Sequence, residues 1–149
     1  MIHILLVEDD YDQAESLESA LSAHFAESTI TKINTECEFN EKLGELEQNT
    51  PDIAVIDVML RWTDPSPNMR DVPNEVKEGG HFEAGLRCER HLRELAETAN
   101  VPVILYTVLR KEDMTDALKL TNPKITVFLD KDSNYNTLVN EITKLLPRY

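Results

Sequence analysis

The strongest constraint on the fold is an alternation along the chain between short apolar runs and longer segments with helical spacing. The runs are rich in Val and Ile and are continuous, which is typical of strands buried on both faces of a parallel sheet. They cover residues 4–7, 30–33, 53–56, 103–105 and 125–129. Apolar residues spaced three and four apart predict helices over about 14–25, 35–46, 86–99, 111–120 and 135–146. Five βα units in this order predict an α/β fold, an open parallel sheet with helices on both faces, and a ligand site beyond the carboxyl ends of the strands.

The charge and composition of the chain exclude several function classes. The 149 residues carry a formal net charge of −13, with no Lys/Arg cluster, so we expect no direct nucleic-acid binding. We expect no membrane insertion and a cytoplasmic location, because no apolar run approaches the roughly 20 residues of a span and no signal peptide is evident. Cys37 and Cys88 lie far apart without metal-ligand spacing, which favours buried, inert thiols.

One segment interrupts the alternation. Residues 61–84 contain several prolines and two adjacent glycines, without a sustained hydrophobic period. Loops of this length are usually functional or disordered. Trp62, the only tryptophan of the chain, has two interpretations here: it anchors the loop to the domain, or it is an exposed contact for a partner.

Polar side chains follow four of the predicted strands at the point where each strand ends. Individually each has an ordinary explanation, since Asp10 or Asp12 can cap a helix and Asp57 can begin a turn. Together they are expected to converge on one edge of a parallel sheet. The set is Glu8, Asp9 and Asp10 after the first strand, Asp57 after the third, Thr107 after the fourth and Lys131 after the fifth.

The charges in this set predict a divalent cation. Glu8, Asp9 and Asp57 against Lys131 leave two excess negative charges in a confined cleft, and oxygen-only ligands favour Mg²⁺ over zinc or copper. A carboxylate beside Mg²⁺ can act as a nucleophile toward a phosphoryl group. The cation, the Lys131 ammonium and the Thr107 hydroxyl would each stabilise the charge on the phosphoryl oxygens.

Four stretches of the sequence resemble, in the right order, the signatures of the response-regulator receiver domain of the CheY-like superfamily. They are residues 4–10 (ILLVEDD), 56–60 (IDVML), 102–107 (PVILYT) and 128–131 (FLDK). The resemblance spans nearly the whole chain except the long loop. It implies a single receiver domain over residues 1–149 with an inserted loop at about 61–84. It also implies a flavodoxin-like (βα)5 fold with strand order 2-1-3-4-5.

The resemblance also implies roles for individual residues. Asp57 would be the phosphoacceptor, and Asp9, Asp57 and the Met59 backbone carbonyl would hold Mg²⁺ with help from Glu8. Thr107 and Lys131 would contact the phosphoryl group. Phe128 would be an aromatic switch coupled to Thr107, although core packing on the last strand is an equally simple interpretation.

The sequence also departs from the receiver pattern. Asp132 follows Lys131 where proline is usual, so this turn must be built differently. Val108 stands where a small residue is usual, which leads us to expect slow dephosphorylation. Arg61-Trp62 replace the usual proline and glycine, and Gly85 is the counterpart of that glycine beyond the insertion.

The resemblance implies a stand-alone phosphoacceptor of a two-component phosphorelay rather than an enzyme. Its expected partners are a sensor histidine kinase or histidine phosphotransfer protein and a downstream protein, with the chain a monomer or a phosphorylation-dependent homodimer. The alternative is an interaction module of the same fold that phosphorylation does not switch. A haloacid-dehalogenase phosphatase is disfavoured because Met59 stands where its second aspartate is needed. A flavodoxin is disfavoured because acids follow the first strand instead of a phosphate loop.

Overall fold

The computed structural model describes residues 1–65, 71–132 and 134–146. Its strands are β1 (Ile2–Val7), β2 (Ser28–Ile33), β3 (Ile53–Ile56), β4 (Val103–Thr107) and β5 (Thr126–Asp130). Its helices are α1 (Tyr11–His24), α2 (Glu36–Gln48), α3 (Asn74–Gly79), α4 (Ala84–Glu94), α5 (Thr115–Leu118) and α6 (Tyr135–Leu145). Two 3₁₀ turns, His81–Glu83 and Lys111–Met114, precede α4 and α5.

The sheet is parallel throughout, with the order β2-β1-β3-β4-β5. This confirms the predicted flavodoxin-like arrangement. The three central strands are almost entirely buried, as their continuous apolar runs predict. All five predicted strands are present, with bounds that differ by up to two residues at either end.

Helices cover both faces of the sheet and enclose two apolar clusters. On one face, Leu17 and Leu21 of α1 and Leu138 and Ile142 of α6 pack against Ile4 and neighbouring residues of the sheet. On the other face, Phe39 of α2 and the buried residues of α4 pack against the opposite side of β1, β3 and β4. Apolar side chains therefore cover the central strands on both faces of the sheet, and the acidic residues Glu8 and Asp57 lie just beyond the strand ends.

Side-chain caps begin two of the helices where the sequence indicates. The Asp10 carboxylate accepts a hydrogen bond from the Gln13 N–H at 3.0 Å, so one ordinary explanation for this acid is correct. Thr35 caps α2 by accepting from the Glu38 N–H at 3.2 Å. The Glu38 carboxylate reaches back to the Asn34 N–H at 3.0 Å, one residue before the position that a standard capping box uses.

Two helix predictions are wrong in extent. The helix predicted to reach residue 99 ends at Glu94, because the Thr98 hydroxyl donates to the Leu92 carbonyl and the Arg93 guanidinium donates to the Val101 carbonyl, which fold the chain into a turn. The helix predicted over 111–120 is a 3₁₀ turn followed by the short α5. Met114 is its one fully buried apolar anchor among the described side chains, and Leu120 is exposed, so little packing supports a longer helix.

The segment 61–84 contains local structure. It carries α3 and the following 3₁₀ turn, and Val76 of α3 is buried. Gly80, between them, has a positive φ of 66°, which glycine adopts without strain. Residues 66–70 of this segment lie outside the described residues.

Candidate functional site at the carboxyl edge of the sheet

The candidate site lies at the edge of the sheet where the parallel strands β1, β3, β4 and β5 end. The Glu8 N–H donates to the Ile33 carbonyl at 3.0 Å, and the Asp57 N–H donates to the Val7 carbonyl at 2.9 Å. These bonds extend the strand ladder by one residue. They hold Glu8 and Asp57 at the sheet edge with their backbone already satisfied, as expected for residues that close parallel strands.

Three carboxylates converge at this edge. One oxygen from each of Glu8, Asp9 and Asp57 lies within 4.8 Å of the others. Glu8 is 2% exposed and Asp57 is 7% exposed, whereas Asp9 is half-buried. Within the described ranges this is the one group of His, Cys, Asp and Glu side chains with a geometry that could hold a metal ion.

Lys131 lies between two of these carboxylates. Its Nζ is 2.7 Å from Oε2 of Glu8 and 2.8 Å from Oδ2 of Asp57, and its side chain is 9% exposed. Burial lowers the pKa of Lys131, but Asp57 and Glu8 outweigh burial and raise that pKa above its ordinary value. Lys131 is therefore a buried ammonium at neutral pH.

The carboxyl group of Glu8 has a clearly shifted pKa. Burial is the largest cause that raises the pKa of its carboxyl group from 4.5 to about 7, and the neighbouring Asp57 adds to it, against an opposing contribution from Lys131. Lys131 therefore does not fully offset the effects of burial and of Asp57 on Glu8. A further cation near Glu8 would favour its ionised form.

Met59 and Gly85 shape the surroundings of Asp57. The Met59 N–H donates to Oδ1 of Asp57 at 3.1 Å, which places Met59 beside the cluster. The Gly85 N–H donates to the Val58 carbonyl at 2.9 Å. A Cβ on Gly85 would meet the Asp57 carbonyl oxygen at 2.1 Å, so only glycine allows α4 to begin this close to β3.

Thr107 ends β4 on the neighbouring strand. Its side chain is fully buried, and its hydroxyl accepts a hydrogen bond from the Leu109 N–H at 3.3 Å. Its carbonyl accepts from the Lys131 N–H at 3.0 Å, so the threonine and lysine backbones are joined. In the part of the chain described, the Thr107 hydroxyl makes no hydrogen bond with the carboxylates.

Phe128 is half-buried and packs against the apolar cluster under α2 and α4, opposite Leu105 of β4. This contact matches the core-packing interpretation. A switch role for Phe128 stays a prediction, because it concerns a second conformation.

Two residues of the site escaped the sequence interpretation. Oε1 of Gln13 accepts a hydrogen bond from the Lys131 Nζ at 2.8 Å. The Arg61 N–H donates to Oδ2 of Asp9 at 2.9 Å, and the Arg61 guanidinium donates to the Asp9 carbonyl. The sequence position of Arg61 could have indicated its place in the site, because this basic residue follows Asp57 by four positions in the segment that departs from the receiver pattern.

The donor set of the cluster fits Mg²⁺. All donors are oxygens, the cluster is partly open through Asp9, and the carboxylates exceed the ammonium of Lys131 in charge. Arg61 adds a positive charge near Asp9 that the sequence interpretation did not include, and Asp64 pairs with the same side chain. The Met59 carbonyl as a ligand stays a prediction.

The two other departures from the receiver pattern also lie at this edge. Val108 follows β4 with 60% of its surface exposed, and it lines an open cavity of about 500 Å³ together with Lys131 and Gln13. Asp132 donates its N–H to Oδ1 of Asp130 at 2.8 Å, so a side-chain turn stands where proline is usual.

The inserted segment is fastened beside the site. The carbonyls of Arg61 and Trp62 accept hydrogen bonds from the first N–H groups of α2, at 3.1 and 2.9 Å. Arg87 of α4 forms a buried pair with Glu36 of α2 at 2.7 Å and also donates to the Gly80 carbonyl. Trp62 itself is half-buried, and the geometry leaves both of its interpretations open.

Cys37 and Cys88 are buried thiols, as predicted, and burial raises the pKa of the Cys88 thiol well above its ordinary value. Among the described residues, no helix has both the length and the apolar character needed to cross a membrane.

Known structures resemble this chain in fold. The receiver domain of a DNA-binding response regulator from Colwellia psychrerythraea matches with a TM-score of 0.69 and 20% identity over 99% of this chain and 100% of that one. The receiver domain of a signal transduction histidine kinase from Syntrophus aciditrophicus matches with a TM-score of 0.68 and 23% identity, over 100% of this chain and 95% of that one. The receiver domain of a sensor histidine kinase from Pseudomonas aeruginosa matches with a TM-score of 0.69 and 17% identity over 97% of each chain. That structure has a magnesium ion in its active-site cleft.

Neither protein-family models nor curated protein sequences match this chain. The structural matches nevertheless extend over nearly its whole length, and the sheet order of this chain is the one predicted from the sequence. The chain therefore has the fold of the response-regulator receiver domain.

Proposed function

We propose that this chain is a phosphoacceptor signalling protein of a two-component system, phosphorylated on Asp57. The observation that carries the proposal is the position of Lys131, whose ammonium contacts Asp57 and Glu8 while Asp9 completes a cluster suited to a divalent cation. Receiver domains of response regulators and histidine kinases share the fold, and one of them holds magnesium in its cleft.

The proposed reaction is a phosphoryl transfer to the Asp57 carboxylate. An oxygen of Asp57 forms a bond to phosphorus as the bond from phosphorus to the donor breaks, and the donor leaves with that electron pair. A bound Mg²⁺ would supply positive charge to the phosphoryl oxygens, held by Glu8, Asp9, Asp57 and the Met59 carbonyl.

The chain's own residues would do the remaining work. The Lys131 ammonium, already 2.8 Å from Asp57, would contact a phosphoryl oxygen at nearly its present position. The Thr107 hydroxyl would exchange its bond with the Leu109 N–H for one to the phosphoryl group, and Phe128 would turn inward as Thr107 moves. The chemistry would end with hydrolysis of the acyl phosphate, so the protein would act as a regulator rather than an enzyme on other molecules.

The proposed donor is a sensor histidine kinase or histidine phosphotransfer protein in the cytoplasm. The signal would pass to a downstream protein through a phosphorylation-dependent shift between two conformations. Whether the phosphorylated chain is a monomer or a homodimer stays a prediction.

Intact-mass measurement tests the proposal directly. After incubation with Mg²⁺ and a small phosphodonor such as acetyl phosphate, we expect a mass increase of one phosphoryl group. Asp57→Asn and omission of Mg²⁺ should both abolish it, whereas Asp113→Asn, at an exposed aspartate outside the cluster, should not. Absence of the mass increase in the unaltered protein would contradict the proposal.

The second candidate is an interaction module of the same fold that phosphorylation does not switch. Arg61 favours it, because a basic side chain beside Asp9 opposes a metal ion. This candidate predicts no mass increase, so the same experiment separates the two.

A further inference from the structure

Arg61, at the start of the inserted segment, contacts Asp9 of the carboxylate cluster. Its N–H donates to Oδ2 of Asp9, its guanidinium donates to the Asp9 carbonyl, and its Nε lies 4.0 Å from the same Oδ2. Asp9 is also the most open member of the cluster and therefore the one through which a metal ion would enter.

The neighbours of Arg61 hold its guanidinium in this position. Its Nε lies 3.5 Å from Oδ1 of Asp64, and its guanidinium carbon lies 5.7 Å from the centre of the Tyr11 ring. The Tyr11 hydroxyl donates to Oδ2 of Asp64 at 2.7 Å, which closes the arrangement. The arginine is therefore held between α1 and the start of the inserted segment, with its guanidinium within 4.0 Å of the carboxylates of both Asp9 and Asp64.

The Arg61 backbone and side chain act differently on a metal ion. The N–H orients the Asp9 carboxylate and persists in any substitution except proline. The guanidinium adds a positive charge where a divalent cation needs negative charge, and like charges repel. Because the side chain is 40% exposed, water and salt screen this repulsion in part.

The geometry points to Arg61 as a tethered cation that occupies the Asp9 side of the cluster and lowers its affinity for Mg²⁺. This inference rests on the metal site of the proposed function and deepens it. By thermodynamic linkage the effect is reciprocal: a metal ion at Asp9 weakens the association of the Arg61 guanidinium with Asp9 by the same factor. The start of the inserted segment thereby becomes sensitive to whether the site is loaded.

Calorimetric titration with Mg²⁺ alone tests the inference, with three variants of the full chain. Arg61→Gln keeps the backbone N–H and hydrogen-bonding atoms but loses the charge, and we expect Mg²⁺ to bind on the order of tenfold more tightly. Arg61→Lys keeps a charge and should stay within about threefold of the parent protein. Arg90→Gln is the matched control, because it removes the same charge from an exposed arginine that pairs with Glu75 and Glu94, and it should leave the affinity unchanged.

Two further measurements sharpen the result. The increase in Mg²⁺ affinity caused by Arg61→Gln should be smaller at high salt, because salt screens the repulsion between the arginine and the metal ion. Trp62 follows Arg61 and is the only tryptophan, so its fluorescence should respond to Mg²⁺ in the parent protein and respond less in Arg61→Gln.

Unchanged or weaker Mg²⁺ binding by Arg61→Gln would overturn the inference, and so would an equal gain in Arg90→Gln. An absence of Mg²⁺ binding in both the parent protein and Arg61→Gln would overturn it as well. The proposed function fails separately, through the absence of a phosphoryl mass increase. If the protein is phosphorylated but Arg61→Gln leaves its Mg²⁺ affinity unchanged, this inference is contradicted and the proposed function is not.

Discussion

The Lys131 ammonium lies 2.8 Å from Oδ2 of Asp57, and it also contacts Glu8 at 2.7 Å. One buried cation is thus shared by two buried carboxylates. Lys131 lowers the pKa of Glu8, but burial and Asp57 keep that pKa above its ordinary value. This imbalance has a consequence for stability.

We expect the metal-free protein to lose stability as pH rises from about 4.5 to about 7. In this window the folded protein keeps the Glu8 proton, whose pKa is raised from 4.5 to about 7, while the unfolded chain has released it. Folding then binds a proton, so the free energy of unfolding falls with increasing pH, by up to about 3 kcal/mol. Urea unfolding in a chelator at several pH values measures this slope.

The matched variant for this prediction is Glu8→Gln, which cannot titrate at this position. Its free energy of unfolding should fall less across the same pH window. An identical slope in the variant and the parent protein would show that another group is responsible.

Gly85→Ala should destabilise the protein by about 1–3 kcal/mol. The new Cβ would meet the Asp57 carbonyl oxygen at 2.1 Å and the Val58 Cα at 2.7 Å, so α4 would have to move away from the site. Gly44→Ala is the control, because Gly44 lies inside α2 with open space around it, and it should stabilise by up to about 1 kcal/mol. Thermal unfolding distinguishes the opposite signs, and equal effects would contradict the prediction.

Arg87→Met should cost about 3–5 kcal/mol. It would leave the Glu36 carboxylate buried without its cation, since the two side chains are 5% and 1% exposed. The double variant Glu36→Gln with Arg87→Met should recover much of this loss, because no buried charge remains. Lys42→Met breaks the more exposed pair with Glu38 and should cost less than about 1 kcal/mol.

Chemical denaturation of the parent protein, Arg87→Met, the single variant Glu36→Gln and the double variant forms a double-mutant cycle for the buried pair. If Arg87→Met were no more costly than Lys42→Met, the pair would not hold α2 and α4 together as the structure indicates.

Val108→Ala should shorten the lifetime of the phosphorylated protein several-fold, if Asp57 is phosphorylated as proposed. Val108 lines the same open cavity as Lys131, so we expect that a smaller side chain at this position would let water approach the phosphoryl group more easily. The time course of intact mass after removal of the phosphodonor measures the lifetime. Leu120→Ala, at an exposed apolar residue away from this cavity, is the control, and equal lifetimes of parent and Val108→Ala would refute the explanation.

Local sequence patterns were sufficient for the strands and for the carboxylate cluster. The run of apolar residues at 53–56 predicts a buried strand because burial on both faces leaves no room for polar side chains, and β3 has these bounds. Glu8, Asp57 and Lys131 could be grouped in advance because parallel strands place their carboxyl ends at one edge.

Helix extent was less predictable. The end of α4 depends on the Thr98 hydroxyl and the Arg93 guanidinium, which bond carbonyls several residues away. The residues 111–120 have helical spacing, yet the core offers a buried place to Met114 while Leu120 stays exposed. Spacing shows which residues could share a face, but packing decides how much of that face is used.

By itself the sequence determined the sheet, its order through a family resemblance, and the acidic edge, because these follow from local hydrophobicity and from the direction of the strands. Only the tertiary structure decided that Arg61 lies on Asp9 and that Arg87 pairs with Glu36, since each contact joins residues about fifty positions apart in the chain. The first contact depends on how the inserted segment folds back over α1 and α2, and the second depends on how α2 packs against α4. No local period or spacing encodes either arrangement, and the first of them changes the charge around the site.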